Sequence, residues 1–422
     1  MKLTIGEDTF TSLKDLKFDP TADITGSEVP INEFSVDVET EKDIDAMQYS
    51  WLYDDNDNLW AKYWVVYADR EDEYFVSIKA QSSLKLLERR MLDADMYSSR
   101  PVAAIMEDIF YELGPDSYTL DSTFAGNTLT GYVPDQSAKT RLQWVCFMIG
   151  AYIKSFFSEK IEIRPVPTTA KLIPLSATKW RPSLRYSEYK TRLHVTTYAF
   201  RQGTPSTTDA HVEANGVTYI RTQLNHSIGN PDIITGTLVN DIYIEGITLV
   251  SASNVDEILS RLAPLYFRRL TVSLEAINNA EYLPGDNVIV YTDEGHLISG
   301  YIKKATFVFG LQATAKLDIT PGVEVEGAQL TVVFKYGQYT ISKADYFFPI
   351  GYPIEIENPW FDEEWLGTRY ILKPDDETIT VTLADDTIVE QQYTSVLEYR
   401  DGTLNIISVD DITSTEGVAH VS

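Results

Sequence analysis

A chain of 422 residues with 63 acids against 35 Lys and Arg carries a formal charge of −28. That balance excludes a protein that grips a phosphate backbone, because such binding comes from Lys and Arg contacts that release counterions. The single cysteine, Cys146, excludes a disulfide framework and a cysteine-based metal site.

At this length one core does not suffice, and about two to four domains are expected. Aromatic content of 12%, with 26 Tyr and 7 Trp, favours strands and large interfaces. The opening MKLTIGEDTF has no long apolar stretch of the secretory type. No run of about 18 uncharged apolar residues suggests a membrane span. The expectation is a soluble protein made in the cytoplasm. The charge is uneven: residues 1–83 hold 19 acids and 7 bases, residues 328–422 hold 17 and 5, and residues 84–327 hold 27 and 23.

Residues 1–83 read as strands. Phe34, Val36 and Val38 alternate with polar residues, the period of a half-buried strand. Leu59–Tyr67 and Tyr74–Ala80 flank Ala68–Glu73 as in a hairpin. The run Asp54-Asp55-Asn56-Asp57-Asn58 lacks the glycine and distant glutamate of a calcium loop and reads as a turn.

Residues 84–160 change to helical spacing. Pro101 opens a helix whose buried stripe is Val102, Ile105, Met106, Ile109, Phe110 and Leu113, and Gly114-Pro115 stops it. Gly131–Ile163 (GYVPDQSAKTRLQWVCFMIGAYIKSFFSEKIEI) reads as a capped helix, apolar on nearly every side, running into a strand. Its strongly polar side chains between Ala138 and Ile153 are Lys139, Thr140, Arg141 and Gln143, all in the first two turns. Such a helix has to be enclosed by its own protein. Ser137 is its N-cap, Gly150 admits another backbone, and Cys146 is a small buried hydrophobe.

Strands return from about residue 160 to 327: Asp241–Val250, Leu270–Ala276, Asn287–Thr292, Leu297–Phe309 and Gln312–Ile319. One helix interrupts them, capped by Asn254, with Val255, Ile258, Leu259 and Leu262 as its stripe and Pro264 expected to kink or shorten it. Leu283-Pro284-Gly285-Asp286 reads as a tight turn. After the polar join Val323–Gln329, a separate β-rich unit follows, with strands at Leu330–Phe334, Gln338–Ile341, Thr378–Leu383 and Ile388–Tyr393. An aromatic, proline-rich patch between them runs from Tyr346 to Trp365.

No convergent chemistry emerges. His194, His211, His226, His296 and His420 show no metal-ligand spacing. G-x-S-x-G, P-loop and dinucleotide fingerprints are absent, and no Cys–His nucleophile is expected of Cys146. No catalytic, cofactor-binding or metal-binding residue is assigned. Trp360, Phe361 and Trp365, beside Asp362, Glu363 and Glu364, are the candidate carbohydrate or partner contacts, because aromatics stack on sugar rings and paired carboxylates cleave glycosides. Packing or a subunit interface is the plainer role for them.

The order of Gly131–Ile163, a GY-(V/I)-P followed by a polar-capped R-x-x-L-Q-x-(I/V)-x-F-x-I-G-A helix and an alternating strand, resembles the baseplate hub proteins of long-tailed phages and prophage tail-like particles. The resemblance covers roughly residues 1–327, strongest over 131–163 and weaker over 241–319. It implies a mainly β fold with an α/β insertion. Residues 1–85 would be a first tube-like β-barrel, 86–185 the insertion, 186–327 a second tube-like β-barrel, and 328–422 a C-terminal β-rich, sandwich-like domain.

It further implies a homotrimer whose six barrels match a sixfold tail tube above and a threefold spike or tip below. The implied partners are a tail tube or distal tail protein, a spike or tip protein, and other baseplate proteins. DNA would pass an acidic lumen without specific binding, since like charge keeps it mobile. The implied location is the virion tail, assembled in the host cytoplasm. The chain departs from hubs that carry a fused lysin or spike, so those activities would belong to other polypeptides. The rival reading, a tail-tip carbohydrate-binding or cell-wall-degrading protein, rests on the Trp360–Trp365 patch. A β-rich adhesin is disfavoured by the absent signal peptide.

Overall fold

Alternation becomes burial in the first β region. Phe34, Val36 and Val38 are at most 1% exposed, within strand Glu33–Glu39. In the computed structural model the described residues are 1–70, 72–173, 178, 182–233, 238–277, 280–291, 297–309 and 314–325, together with the backbone of strands between 327 and 407. The chain divides into two compact units, Met1–Val290 with Ser299–Val323, and Tyr291–Ile298 with Glu324–Ser422. The fold is mainly β.

The first unit is dominated by a 13-stranded sheet. Its first-region part runs Leu13–Phe18, Glu33–Glu39, Phe75–Gln81, Leu59–Arg70, Tyr49–Tyr53, Lys2–Ile5 and Asp8–Phe10. The expected hairpin is there, with Val65 opposite Ala80 and Ala68 opposite Ile78. Leu270–Ile277, flanked by edge strand Ser183–Tyr186, pairs with Thr314–Val325 and so continues the path through Leu297–Val308. Among the described residues this path has two ends.

The seam between its halves is narrow. Phe307 stands opposite Phe18, the Ala22 N–H donates to the Lys303 carbonyl (3.0 Å), and the Ala305 N–H donates to the Pro20 carbonyl (3.1 Å). Rings reinforce it. Phe18 lies 5.9 Å from Phe307 and 6.0 Å from Phe157, and Trp60 lies 4.7 Å from Phe157 and 4.8 Å from Phe307, between centroids.

The insertion encloses its own core, as the apolar helix requires. Val102, Ile105, Met106, Ile109 and Phe110 of helix Val102–Phe110 are all buried. Pro101 sits one place earlier than N1, as the N-cap, with ψ 136°. Helix Ala138–Ile149 is capped by Ser137, whose Oγ accepts from the Thr140 N–H (3.2 Å).

The polar residues of its first turns are all engaged. Lys139 pairs with Glu88 at 2.8 Å, Gln143 donates to the Ser27 carbonyl, and the 4%-exposed Arg141 donates to the carbonyls of Asp93 (2.7 Å), Leu92 and Pro134. Buried charge is costly unless such acceptors surround it. Gly150 serves differently from the expectation. It is the left-handed C-cap (φ 69°), and a side chain, Arg261, lies against it. The close backbone approach is at Gly26, where a Cβ would stand 2.8 Å from the Phe147 backbone.

The core also recruits distant chain: Leu193 and Val195, and Ile247 through Ala263, join the helices of residues 84–163. The strand expected over Asp241–Val250 is therefore only Ile242–Ile244. Gly246 (φ 85°) turns the chain, and Leu249 and Val250 enter the core instead. Helix Val255–Phe267 is not ended by Pro264, because the exposed surface at Ser260 and Pro264 lets water satisfy the carbonyl freed by the missing N–H. Asn254 occupies the N-cap, but its side chain accepts from the Ser251 N–H and donates to the Leu249 carbonyl instead of capping. The predicted turn forms: the Asp286 N–H donates to the Leu283 carbonyl (3.0 Å), and Gly285 (φ 93°) lies where a Cβ would meet the Tyr152 ring. At Asp54–Asn58, one Asp54 oxygen accepts from the N–H groups of Asn56 and Asn58 (2.8 Å each), which makes a turn.

The second unit contains two four-stranded sheets. In one, Gly327–Tyr336 pairs antiparallel with Tyr339–Pro349 and parallel with Thr378–Ala384. In the other, Arg369–Leu372 lies between Pro353–Glu355 and Val396–Arg400, and Thr403–Ile407 pairs with the latter.

Two substitutions test these contacts. Phe18→Ala is expected to lower the unfolding free energy by about 3–5 kcal/mol, read from urea denaturation. Gly26→Ala and Gly216→Ala both place Ala at positive φ (70° and 74°), but only Gly26 meets backbone. Gly216→Ala is expected to cost about 1–2 kcal/mol of backbone strain, and Gly26→Ala distinctly more. Equal costs would show that the Phe147 contact does not matter.

Candidate assembly surfaces

Among the described residues no group of three or more His, Cys, Asp or Glu is placed to hold a metal. Cys146 is 1% exposed, and burial pushes its thiol far above the range in which a thiolate forms. His296, His420, Trp360, Phe361 and Trp365 lie outside the described residues.

His194 is the one histidine with a carboxylate partner among the described residues. Its Nε2 is 3.0 Å from Asp241 Oδ2, its Nδ1 is 3.2 Å from the Asn225 amide nitrogen, and its ring stacks on Tyr243 at 4.5 Å. Because the Asn225 amide can only donate, Nδ1 accepts and Nε2 carries the proton toward Asp241. A general base needs its accepting nitrogen free for a nucleophile, and here Asn225 fills it. The group is a clasp that holds strand Ile242–Ile244 beside Arg192–Gln202, where the register is parallel. Hydrogen bonds from Thr191 and then His194 hold the Asp241 carboxyl below the usual range. No local spacing points to this clasp, since its partners are 47 residues apart.

A cleft of about 220 Å³ lies where the sheet halves meet, lined among others by Asp23, Tyr266, Arg268, Tyr301 and Lys303. Asp23 is saturated locally by Thr25, Ser27 and the Glu28 N–H (2.7 Å). Burial raises the Tyr266 and Tyr301 hydroxyls, which keeps them protonated donors. The cleft offers polar contact but no activated nucleophile.

Two outward surfaces expose large apolar side chains. The first β region exposes Met47 (60%) and Tyr74 (52%) among acids. The four-stranded sheet His211–Ala214, Val217–Gly229, Arg192–Gln202 and Ile242–Ile244 exposes Leu224 (64%) and Tyr243.

Two β regions joined in one sheet around an α/β insertion have the fold of phage and prophage tail proteins. No family model matches the sequence, and no curated protein matches it. Among solved structures the chain is similar to the prophage MuSo2 43 kDa tail protein from Shewanella oneidensis, with TM-score 0.53 and 11% identity over 76% of this chain and 98% of that one. It is likewise similar to the tail protein from Neisseria meningitidis MC58, with TM-score 0.52 and 9% identity over 76% of this chain and 95% of that one. At these identities the likeness is one of fold, and at that level it agrees with the resemblance carried by Gly131–Ile163.

The clasp has a definite pH signature. A carboxyl held below its ordinary value of 3.8 stabilises the folded state above that value, and the contribution is lost as pH falls through the folded-state value. The urea midpoint of the wild type should therefore exceed that of Asp241→Asn at pH 6, with the gap closing as pH drops below about 4. A gap independent of pH would rule out the charge of Asp241 as its source.

Proposed function

We propose that this chain is the structural hub of a phage or phage-like tail baseplate. In this reading it is a homotrimeric adaptor that joins a sixfold tail tube to a threefold spike or tip, lines the DNA ejection channel, and carries out no catalysis. Residues 1–85 and 186–327 act as the two tube-like barrels, 86–185 as the insertion, and 328–422 as a sandwich-like domain docking a neighbour or facing the host. Its partners are the tube or distal tail protein, the spike or tip protein and other baseplate proteins, within a virion tail assembled in the host cytoplasm.

The observation that supports this most is the tail-protein fold spanning 76% of the chain. Symmetry matching calls for interfaces, not for a reaction centre, and His194 with Asp241, the histidine–carboxylate pair of the described residues, is tied into a clasp. The acidity suits a channel wall, since like charge lets DNA slide without adhesion.

Native mass spectrometry of the full chain, alone and with its tube partner, is expected to give a trimer, and images of assembled particles should show threefold density at the end of the tube. A strict monomer under both conditions overturns the reading. So does peptidoglycan release that is abolished by Glu363→Gln.

A further inference from the structure

Four separate stretches of the first unit line the cleft at the seam: chain around Ala22, the last turn of helix Val255–Phe267, strand Leu297–Val308 at Tyr301, and Thr320 with Pro321. Its charged lining is Asp23, Arg268 and Lys303. The acceptor is already filled. Asp23 takes hydrogen bonds from Thr25, Ser27 and the Glu28 N–H (2.7 Å), and the Tyr266 hydroxyl is bonded to Ser27 and Thr25. The remaining donors are not. Among the described residues neither Arg268 nor Lys303 has a carboxylate partner, and the Tyr301 hydroxyl has no hydrogen-bond partner. The Arg268 charge acts on that hydroxyl, so the two groups face one space. Guanidinium and ammonium groups only donate, and a protonated phenol donates. The free capacity of the cleft is therefore for an acceptor.

The positive balance survives a wider count. Within two positions of the lining residues stand four bases (Arg268, Arg269, Lys303, Lys304) against two acids (Asp23, Asp318). Counting also Asp19, which holds Lys304 at 3.2 Å, still leaves one net positive charge. Arg269 lies over the Tyr189 ring at 3.8 Å, and Asp318 accepts from Ser273 (2.7 Å), so both are engaged elsewhere. The carbonyl end of helix Val255–Phe267 favours a cation beside it, which accounts for Arg268 alone. Size narrows the occupant further. A cavity of about 220 Å³ exceeds the roughly 150 Å³ that holds benzene and falls short of the roughly 300 Å³ at which clefts begin to take drug-sized ligands. It has room for acetate or for the tip of an Asp or Glu side chain, and not for a nucleotide.

We propose that the cleft binds one carboxylate, with Arg268 taking both oxygens side by side, Lys303 closing over it from the exposed side and the Tyr301 hydroxyl donating a further bond. Paired donation from a guanidinium is the strong form of such contact. The bound carboxylate ties first-region chain, helix and second-region strand together, so occupancy adds to the stability of the fold. The site lies within one copy of the chain, and its test stands apart from the hub reading.

Acetate labelled with carbon-13 at the carboxyl, titrated against the full chain at fixed ionic strength and followed by line broadening, is expected to saturate. Arg268→Gln and Lys303→Gln should each raise the Kd about tenfold or more, the loss expected for a hydrogen bond to a charged group. Lys316→Gln, at an exposed cation outside the lining, should leave it unchanged. Lys303 is itself exposed, so its variant keeps the test valid if Arg268→Gln proves unstable. Broadening that never saturates, or that both cleft variants leave intact, overturns the site. A carbodiimide, which joins an amine to a carboxylate touching it, then separates the sources in assembled particles. A Lys303 cross-link to an Asp or Glu of another polypeptide identifies a neighbour's side chain, and an unlinked Lys303 beside saturable acetate binding identifies a free anion.

Discussion

The fold depends on one seam. Strands from the two ends of the first unit enter a single sheet although, among the described residues, only Phe18–Phe307 and the isolated bridge Thr21–Lys304 pair across it. Closing the intervening chain is entropically unfavourable: the Lys304–Asp19 ion pair beside the seam spans 285 residues, and a flexible loop of that length costs about 5 kcal/mol to close. A few backbone hydrogen bonds, each worth about 1 kcal/mol net, do not offset that. Aromatic burial does. A ring that buries about 150–250 Å² contributes about 4–6 kcal/mol as an upper bound, and Phe18, Trp60 and Phe307 are at most 3% exposed. Phe157 brings the insertion into the same cluster, and its N–H donates to the Trp60 carbonyl (2.8 Å). Three chain segments are therefore fixed relative to one another by one group of side chains.

The insertion solves a complementary problem. An all-round apolar helix needs neighbours on every side, and local sequence supplies too few. Helix Ala138–Ile149 obtains them from helix Val102–Phe110, from Leu193 and Val195, and from Val255–Phe267. Its polar residues are confined to the end where backbone carbonyls converge, so Arg141 meets three acceptors instead of solvent. The result is a module tied to its surroundings by both packing and hydrogen bonds.

What the sequence made legible was local. The stripe from Val102 to Phe110, the Ser137 cap, the hairpin before Gln81 and the turn at Gly285 are set by neighbours a few residues away, and all are visible as spacing. What it hid was set at a distance. Gly246 ends an apparently continuous strand because Leu249 and Val250 are drawn into a core built by residues far upstream. Gly26 is required by the backbone of Phe147, a contact with no local trace. The His194–Asp241 clasp and the seam rings belong to the same class. The candidate surfaces were half legible: composition exposed the acidic first region, whereas the cleft at the seam is recognisable only once the stretches that line it are brought together.

Some acids of that first region serve the fold, Asp19 beside the seam and Asp23 and Asp54 in their turns. Others pair only at the periphery: Asp55, Asp57 and Asp43 are paired, yet their side chains are 89%, 74% and 93% exposed. Pairs so exposed are worth about 0–1 kcal/mol. Against them stands the mutual repulsion of 19 acids set among 7 bases, which weakens the compact state. A charge distribution that costs stability and gains little from internal pairing acts outward. Like charge at this density opposes both the association of copies through that region and the adhesion of nucleic acid to it.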